Sequence, residues 1–343
     1  MNERDGKIER FLRECGHGGA KRIALSGDAS SRRYQRIFTG TGGRTLILMD
    51  APPETCEPVD AFVDAAKFLR SIQLSAPAIH GLDRKNGLML LEDFGDDLIA
   101  RILEKDSSAE IKIYEIAVDL LADLQSHPPT LNFPAHTPEL QGELSALSVS
   151  WYRKFAVGAE NIESQSAQIK EIIETGIASI QTESVFVHRD YHAENLIWLP
   201  EREGLQRVGL LDFQDGSIGH PAYDLVSLLE DARRDVGPGA RTRATQKYCE
   251  ATGKSMDAVN MHLAICGAQR NLRIIGVFAR LAIRDRKPWY LDLLPRVWRN
   301  LEFDLSHPCN SKLELLVRRI FPAPDPQILD KLRIAASRIP AGP

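Results

Sequence analysis

Three stretches near the start of the chain carry the hydrophobic patterns of β-strands. Arg22–Leu25 is short, Arg33–Phe38 alternates polar and apolar residues, and Thr45–Met49 is nearly all apolar. Alternation with a period of two is typical of a strand with one buried face, and a short apolar run is typical of a buried strand. The run Thr39–Gly43, which contains three glycines, predicts a turn between the last two stretches. The pattern therefore predicts a small antiparallel sheet.

A helical period follows the strands. Between Pro58 and Ser71, apolar residues recur at the spacing of one helix face: Val59, Phe62, Val63, Ala66, Phe68 and Leu69. Gly87–Leu91 is again extended in character and ends at a polar segment, residues 92–97. Residues 1–93 are therefore predicted to form one lobe that contains strands and a single helix.

Helical patterns dominate the remainder of the chain. An apolar face runs from Ile111 to Leu124 and stops at Pro128, whose ring ends a helix. Further helices are predicted at about residues 223–233, 262–284 and 289–301, and short strands at 185–187, 196–199 and 208–211, of which the last two form a hairpin. The fold class predicted is α+β, with residues 94–343 forming a larger and mostly helical lobe.

Composition and charge exclude several classes of protein. The chain has 343 residues, of which 43% are hydrophobic and 26% are charged, as in ordinary globular proteins. A net charge of −4 gives no general attraction to nucleic acid or to an anionic membrane. The five cysteines are scattered without a CxxC pair, which predicts reduced thiols rather than a zinc site or a disulfide framework. No signal peptide or membrane span is predicted, so the expected location is cytoplasmic.

The strongest chemical pattern is a polar run followed by a second acidic segment. The run is His188-Arg189-Asp190-Tyr191-His192-Ala193-Glu194-Asn195, and Asp212 follows the second strand of the predicted hairpin. Phosphoryl transfer of the kinase type needs one carboxylate to orient a hydroxyl, and an amide and a second carboxylate to hold magnesium. Asp190, Asn195 and Asp212 have the order and spacing for these three roles. A polar turn with this spacing by chance is the alternative.

Neighbouring polar residues are predicted to support this run. His188 is expected to pack beneath the loop, and Asp224, at a helix start, to accept backbone N–H groups from the loop or from its own helix end. Asp215 is either a second metal ligand or a turn carboxylate, and the turn role is favoured. Gly253-Lys254-Ser255 resembles the end of a P-loop, but Tyr248 stands where the first glycine is required, so a surface turn is predicted.

These residues resemble the aminoglycoside phosphotransferase/choline kinase family of the protein-kinase-like fold, over roughly residues 26–300. The closest likeness within it is to bacterial kinases that phosphorylate N-acetylmuramate and N-acetylglucosamine at the anomeric hydroxyl. This likeness is carried by residues 27–34, 49–53, 219–229, 269–272 and 278–281. The resemblance implies a two-lobed fold that binds ATP and Mg²⁺, with Asp190 as the catalytic base and with Asn195 and Asp212 as metal ligands.

The resemblance also implies where the nucleotide binds. The loop that covers the phosphates corresponds to Gly27–Arg32, with Gly27, Ser30 and Ser31 among its residues, and the segment Glu92-Asp93-Phe94 corresponds to a hinge whose backbone bonds an adenine edge. Kinases of this fold usually carry a lysine on the third strand, and here that strand has none. The hypothesis is that Arg32 or Arg33 supplies the missing charge, since a guanidinium suits phosphate. The alternative is that both arginines face solvent.

The acceptor is predicted to lie between the catalytic loop and the helices of the larger lobe. The candidate lining residues are His192, Glu194, Gln269, Arg270 and Arg273, and for each of them the alternative is that it braces the core. Arginines accompany the nearby acidic residues, which favours a neutral or anionic sugar over a polycation. The predicted function is an ATP-dependent amino-sugar kinase in cell-wall sugar recycling. The alternatives are a kinase for homoserine, choline or an aminoglycoside, and a catalytically silent nucleotide-binding regulator.

Overall fold

The structure is a computed structural model that describes residues 3–25, 32–40, 43–180 and 182–338. By its internal contacts the chain forms two units. The first comprises Met1–Ile102, Pro129–Asn132 and Glu194–Gly216, and the second comprises Leu103–Pro128, Phe133–Ala193 and Ser217–Pro343. The division of the chain into lobes at residue 93 stays a prediction.

The first unit is built on a five-stranded antiparallel sheet. Its strands are β1 (Lys21–Leu25), β2 (Arg33–Phe38), β3 (Thr45–Asp50), β4 (Ile79–Asp83) and β5 (Leu88–Glu92), in the spatial order β1-β2-β3-β5-β4. The strands predicted at residues 22–25, 33–38, 45–49 and 87–91 are confirmed as β1, β2, β3 and β5. β4 lacks a clear alternation in its sequence, Ile-His-Gly-Leu-Asp, and was not predicted.

The two faces of this sheet have different surroundings. Helix α1 (Glu3–Glu14) places Ile8, Phe11 and Leu12 against Ile37, Leu48, Leu88 and Leu90. Leu46 and Glu92 are direct neighbours in the β3–β5 register, so they project from this same side, the α1 face. Tyr34 and Met49 are direct neighbours in the β2–β3 register and alternate with the α1-face residues. They therefore lie on the opposite side of the sheet, the Tyr34 face.

A helix and a short hairpin complete the first unit. The helix predicted between Pro58 and Ser71 is confirmed as α2 (Asp60–Ser71), which buries Phe62, Phe68 and Leu69. The predicted hairpin is confirmed as β7 (Leu196–Trp198) paired antiparallel with β8 (Val208–Leu210). The N–H of Leu210 donates to the carbonyl of Ser75, which attaches the hairpin to the segment after α2. The ring centroids of Phe62 and Phe213 lie 4.7 Å apart, so α2 also packs on the segment that follows β8.

The second unit is mostly helical. A short helix, α3, comprises Ile99–Lys105. The helices that follow it along the chain are α4 (Glu110–Ser126), α5 (Pro138–Ser145), α6 (Lys154–Val157), α7 (Ile162–Ser179), α8 (Ala222–Leu229), α9 (Pro238–Thr252), α10 (Met256–Ile283), α11 (Leu294–Leu305), α12 (Ser311–Ile320) and α13 (Pro326–Arg338). β6 (Val185–Val187) pairs antiparallel with β9 (Ser217–Gly219). α10 buries most of its residues and forms the centre of this unit. The α+β fold class is confirmed.

Two predicted helices differ in their bounds. The helix predicted at residues 289–301 is wrong over its first part: residues 288–293 form a 3₁₀ segment and α11 begins at Leu294. Pro295 at the first turn of α11 explains this start, because proline lacks the N–H that a helix interior requires. α8 ends at Leu229 rather than near residue 233, because Glu230 leaves the helical conformation and its side chain pairs with Arg241.

The remaining structural expectations concern cysteines, turns and membrane spans. Cys15, Cys56, Cys249, Cys266 and Cys309 are all free thiols. Gly253 has a left-handed backbone that ends α9, and Ser255 caps α10, so the Gly253–Ser255 segment is confirmed as a turn. Within the ranges that the structure covers, every helix is too short or too polar to cross a bilayer.

Candidate active site

The loop predicted to be catalytic, which begins at His188 after β6, forms a tight turn in the second unit. The N–H of His192 donates to the carbonyl of Asp190 at 3.1 Å, and Arg189 has a positive φ of 73°. Asp224, on the first turn of α8 and fully buried, accepts the N–H groups of His188 at 2.6 Å and Arg189 at 2.8 Å. A left-handed arginine backbone is strained, so these two bonds hold the loop in a conformation that it would not adopt alone.

Aromatic packing fixes the loop from beneath. The buried rings of His188 and Tyr191 meet edge to face with centroids 5.8 Å apart. The Tyr191 hydroxyl donates to the carbonyl of Ala117 in α4 at 2.7 Å. These contacts anchor both sides of Asp190 while leaving Asp190 itself partly exposed.

Positive charge surrounds Asp190. Burial alone would raise the pKa of its carboxyl group, but the positive charge of Arg273, followed by that of His192 and Arg270, outweighs burial and holds the pKa below the ordinary value of 3.8. The carboxylate is therefore ionised across the physiological range. An ionised carboxylate can accept a hydrogen bond from a hydroxyl group and orient it.

Two buried histidines near this loop are neutral at pH 7. Burial lowers the pKa of His192, although Asp231 and Asp190 oppose the shift. Burial, followed by the positive charges of Arg189 and Arg273, lowers the pKa of His136 to about 3. His136 stands edge to face on the ring of Tyr223 at 4.8 Å. At pH 7 these two histidines can donate or accept hydrogen bonds, and His192 adds positive charge near Asp190 only in its protonated form, at lower pH.

The predicted metal ligands lie together in the first unit. Asn195 immediately precedes β7 and Asp212 follows β8 by two residues, and the N–H of Leu211 donates to the carbonyl of Asn195 at 3.0 Å. Asp212 has a positive φ of 59°, and its carboxylate accepts the amide of Gln214 at 2.8 Å. An amide oxygen and a carboxylate are hard donors, which suit Mg²⁺. The residues present therefore fit the ion.

Tyr34 lies near Asp212 and was not predicted as a separate site residue. Burial, followed by the negative charge of Asp212, raises the pKa of Tyr34 to about 12, and the positive charge of Arg32 opposes this shift. The Tyr34 face of the sheet is thus the face near Asp212 and Arg32. The alternation of β2 predicts that Tyr34 lies on a strand. It does not predict that Tyr34 lies near Asp212, which is 178 positions further along the chain.

The two arginines expected to bind phosphate have different surroundings. Arg33 is opposite Asp50 in the β2–β3 register, and its guanidinium pairs with that carboxylate at 2.8 Å. Asp50 is 1% exposed and also pairs with Arg4 of α1, which places it on the α1 face. Arg32 acts electrostatically on Tyr34, on the opposite face. Gly27, Ser30 and Ser31 lie outside the described residues.

The predicted hinge follows β5 and is held by charged side chains. Glu92 pairs with Arg202, and Asp93 pairs with Arg36 at 2.6 Å. The guanidinium of Arg202 stands 4.8 Å from the ring centroid of Phe94. The three side chains are therefore occupied by protein contacts, and any nucleotide contact here falls to the backbone.

Of the residues predicted to line the acceptor site, two are buried and hydrogen-bonded within the protein and two are half-buried. Gln269 is fully buried and donates to the carbonyl of Gln141, and Arg270 is 3% exposed and donates to Ser227 and to the carbonyl of Glu230. Glu194, in the first unit, is within 3.8 Å of Arg101. Arg273 is half-buried and donates to the Tyr223 hydroxyl at 3.0 Å.

Comparison with known proteins identifies the family. A profile described as "Phosphotransferase enzyme family" matches residues 21–259. The chain belongs to this phosphotransferase enzyme family. It is a small-molecule kinase, as its curated relatives are. A kinase of Caulobacter vibrioides named N-acetylmuramate/N-acetylglucosamine kinase is 37% identical over an alignment that covers 94% of this chain and 98% of that protein. A kinase of the same name from Pseudomonas aeruginosa is 34% identical, with 82% of this chain and 83% of that protein covered.

Solved structures share the fold at low sequence identity. A choline/ethanolamine kinase family protein from Mesorhizobium loti matches with a TM-score of 0.61 at 13% identity, covering 96% of this chain and 99% of that one. An aminoglycoside phosphotransferase from Streptomyces rimosus, solved in complex with ADP and streptomycin, matches with a TM-score of 0.55 at 16% identity, covering 80% of this chain and 99% of that one. These likenesses confirm the protein-kinase-like fold.

Proposed function

We propose that this protein transfers the γ-phosphoryl group of ATP to the anomeric hydroxyl of N-acetylmuramate or N-acetylglucosamine, with Mg²⁺ bound. The observation that carries the proposal is the likeness, over nearly the whole length of both chains, to the Caulobacter kinase of that name. The ionised carboxylate of Asp190 on a rigid loop supports it, because a kinase of this type needs a carboxylate at that position.

Asp190 would accept a hydrogen bond from the attacking hydroxyl and take its proton as the bond to phosphorus forms. Asn195 and Asp212 would hold Mg²⁺, which when bound neutralises the phosphate oxygens and favours in-line transfer. The backbone of Glu92–Phe94 would bond the adenine edge. Gln269 and Arg270 are buried and hydrogen-bonded within the helical unit, so we assign them a bracing role. We assign contact with the sugar to His192, which belongs to the same loop as Asp190, and to Arg273, which is half-buried and acts electrostatically on Asp190.

The charge of Arg273 bears on the choice of sugar. N-acetylmuramate carries a lactyl carboxylate that N-acetylglucosamine lacks, and a half-buried guanidinium near Asp190 suits a carboxylate. A polycationic aminoglycoside would instead meet the positive surroundings of Asp190, which is unfavourable. The proposed route for the product is recycling of cell-wall sugars.

The experiment that tests the proposal is ADP release with ATP and Mg²⁺ against a panel of acceptors: N-acetylmuramate, N-acetylglucosamine, glucose, choline, homoserine and kanamycin. Turnover of the two acetylated amino sugars supports the substrate class. Asp190→Asn should lower the rate by roughly 10²–10⁴, as expected for loss of a general base. Asp235→Asn, which changes an exposed carboxylate, is the matched control. Turnover of choline, homoserine or kanamycin alone would replace the sugar assignment, and ATP binding without turnover of any acceptor would favour a regulator.

A second test concerns the charge that replaces the missing lysine. We propose that Arg32 contacts the ATP phosphates, because it acts electrostatically on Tyr34, as Asp212 does, whereas the guanidinium of Arg33 pairs with Asp50 on the α1 face. Losing a charge-assisted hydrogen bond of about 1.5–3 kcal/mol should raise the KM for ATP or lower kcat about tenfold or more in Arg32→Gln. Arg33→Gln should leave both parameters near the wild-type values. Equal effects of the two substitutions would contradict the assignment.

A further inference from the structure

The first unit contains a large open pocket on the α1 face of the sheet, with a volume of about 1020 Å³. Leu46 and Glu92, which are neighbours on that face, form part of its wall, and His17, just after α1, forms another part. Tyr34, Arg32 and Asp212 belong to the opposite face. Thr45, which alternates with Leu46 along β3, adds one residue of the Tyr34 face to the wall, but Tyr34, Arg32 and Asp212 do not line the pocket. The pocket is therefore distinct from the residues to which we assign the ATP phosphates and Mg²⁺, and its size is in the range of small-molecule sites.

Cationic side chains outnumber the anionic ones that remain available in this pocket. Arg44, Arg70 and Arg202 line it, against the carboxylates of Glu92 and Asp93. Asp93 is already bonded through both of its oxygens by Arg36, whose side chain is not part of the lining. Within the described part of the chain, Arg44 forms no ion pair. The lining therefore has an excess of positive charge that an anion would neutralise.

The rest of the lining is suited to a polar ligand rather than to an apolar one. Hydroxyl and amide side chains predominate: Thr39, Thr45, Ser75, Gln73 and Gln206. Leu46, Leu74 and Ala78 supply the smaller apolar part. Hydroxyls and amides match the hydrogen-bonding groups of a sugar, and guanidinium groups match a phosphate.

From this lining we infer that the α1-face pocket is a second binding site, which takes a phosphorylated sugar. The phosphate lies among Arg44, Arg70 and Arg202, and the sugar hydroxyls bond to the polar side chains of the wall. This site is additional to the sites for ATP and for the acceptor.

The pocket is connected to two segments that we assign to catalysis. Arg202 donates to Ser75 at 2.7 Å and to Glu92, and it stacks on Phe94 of the proposed hinge. The carbonyl of Ser75 accepts the N–H of Leu210, two residues before Asp212. A phosphate that draws Arg202 away from Glu92 changes the contacts of the hinge side chains. Occupancy of the pocket should therefore alter the KM for ATP; this kinetic effect rests on the proposed function, whereas the binding itself does not.

The test is isothermal titration calorimetry with glucose 6-phosphate as the probe and the full chain saturated with ADP and Mg²⁺. Wild type should bind glucose 6-phosphate and should not bind glucose, which lacks the phosphate. The double variant Arg44→Gln, Arg70→Gln should bind it about tenfold or more weakly, because two guanidinium contacts are lost. Arg84→Gln is the matched control, since Arg84 is an exposed arginine of the same unit that pairs with Asp60 outside the pocket.

Arg70 also donates to the carbonyl of Ala76, so the double variant is checked by its melting temperature. If it does not fold, Arg44→Glu serves instead, because it changes only an exposed side chain at the rim and should likewise abolish binding. Binding that persists unchanged in these variants, or no binding to wild type at millimolar concentrations, would overturn the inference. Binding without any change in the KM for ATP would overturn only the kinetic connection.

Discussion

Asp224 supplies the support on which the geometry of the catalytic loop depends, and Asp224→Ala removes it. The substitution leaves two buried N–H groups, those of His188 and Arg189, without the acceptor that they meet at 2.6 and 2.8 Å. Leaving a buried N–H donor without an acceptor costs about 1–3 kcal/mol, so losing the pair should cost about 2–6 kcal/mol. Removing a buried carboxyl also removes its desolvation cost, so the loss should fall near the lower value.

The predicted loss depends on pH. The pKa of Asp224 is raised to about 7, mainly by burial. The two N–H donors oppose this shift, and the negative charge of Asp190 adds to it. A raised pKa means that the folded state binds the proton more tightly than the unfolded state does. The stability contributed by this proton is therefore fully present below the ordinary value of 3.8 and is lost as the pH rises through about 7.

The assay is thermal unfolding at pH 5 and pH 8, together with ADP release. An unfolding entropy of about 2.1 cal/mol/K per residue gives about 1.4 °C per kcal/mol for 343 residues, so Asp224→Ala should melt about 3 °C below wild type at pH 5, with a smaller difference at pH 8. Asp224→Asn keeps one acceptor oxygen, so its melting temperature should lie between those of Asp224→Ala and wild type. Asp235→Ala, which removes a surface ion pair, should change little. A melting temperature for Asp224→Ala equal to that of wild type at both pH values would refute the reasoning.

Two further predictions test the surroundings of the base and the packing of α10. In Arg273→Gln, losing the largest positive influence on Asp190 should raise the pKa of that carboxyl group, so the acid limb of kcat/KM should move to higher pH; an unmoved limb would contradict this. A Cβ at Gly276 would lie 2.3 Å from the carbonyl carbon of Leu147, so Gly276→Ala should destabilise by about 1–3 kcal/mol or more. Gly6→Ala on α1, where nothing lies within 4 Å, should be neutral or stabilising in the same denaturation assay, and similar effects at the two glycines would show that packing at Gly276 is not the cause.

Much of the fold followed from local patterns, and the exceptions have identifiable reasons. β2 and β3 were predictable because alternation and apolar runs mark strands that bury one face or both. α1 was not predicted, although Ile8, Phe11 and Leu12 stand at the i, i+3, i+4 spacing that marks a helical face. That signal covers only one turn in a mostly polar segment. Its importance comes from the sheet that it covers, which is a long-range contact.

The candidate site likewise contains residues that a local pattern predicts and residues that it does not. Asp190, Asn195 and Asp212 were predicted as site residues because phosphoryl transfer of the kinase type requires those side chains at a fixed order and spacing. The partners that tune them come from distant positions: Arg273 lowers the pKa of Asp190 from α10, and Tyr34 lies near Asp212 from β2. Such partners leave no local pattern, because nothing in the spacing of a motif specifies which helix passes beside it.

The two consecutive arginines show where a sequence pattern stops being sufficient. Adjacent residues of an extended chain project to opposite sides, so only one of Arg32 and Arg33 can face Tyr34. The sequence cannot say which, because the register of β2 against β3 decides it. That register sets Arg33 opposite Asp50, whose buried carboxylate also binds Arg4 from α1. Asp50, which pairs with Arg4 of α1, thus holds Arg33 on the α1 face, and on this ground we propose Arg32 for the charge that replaces the strand lysine.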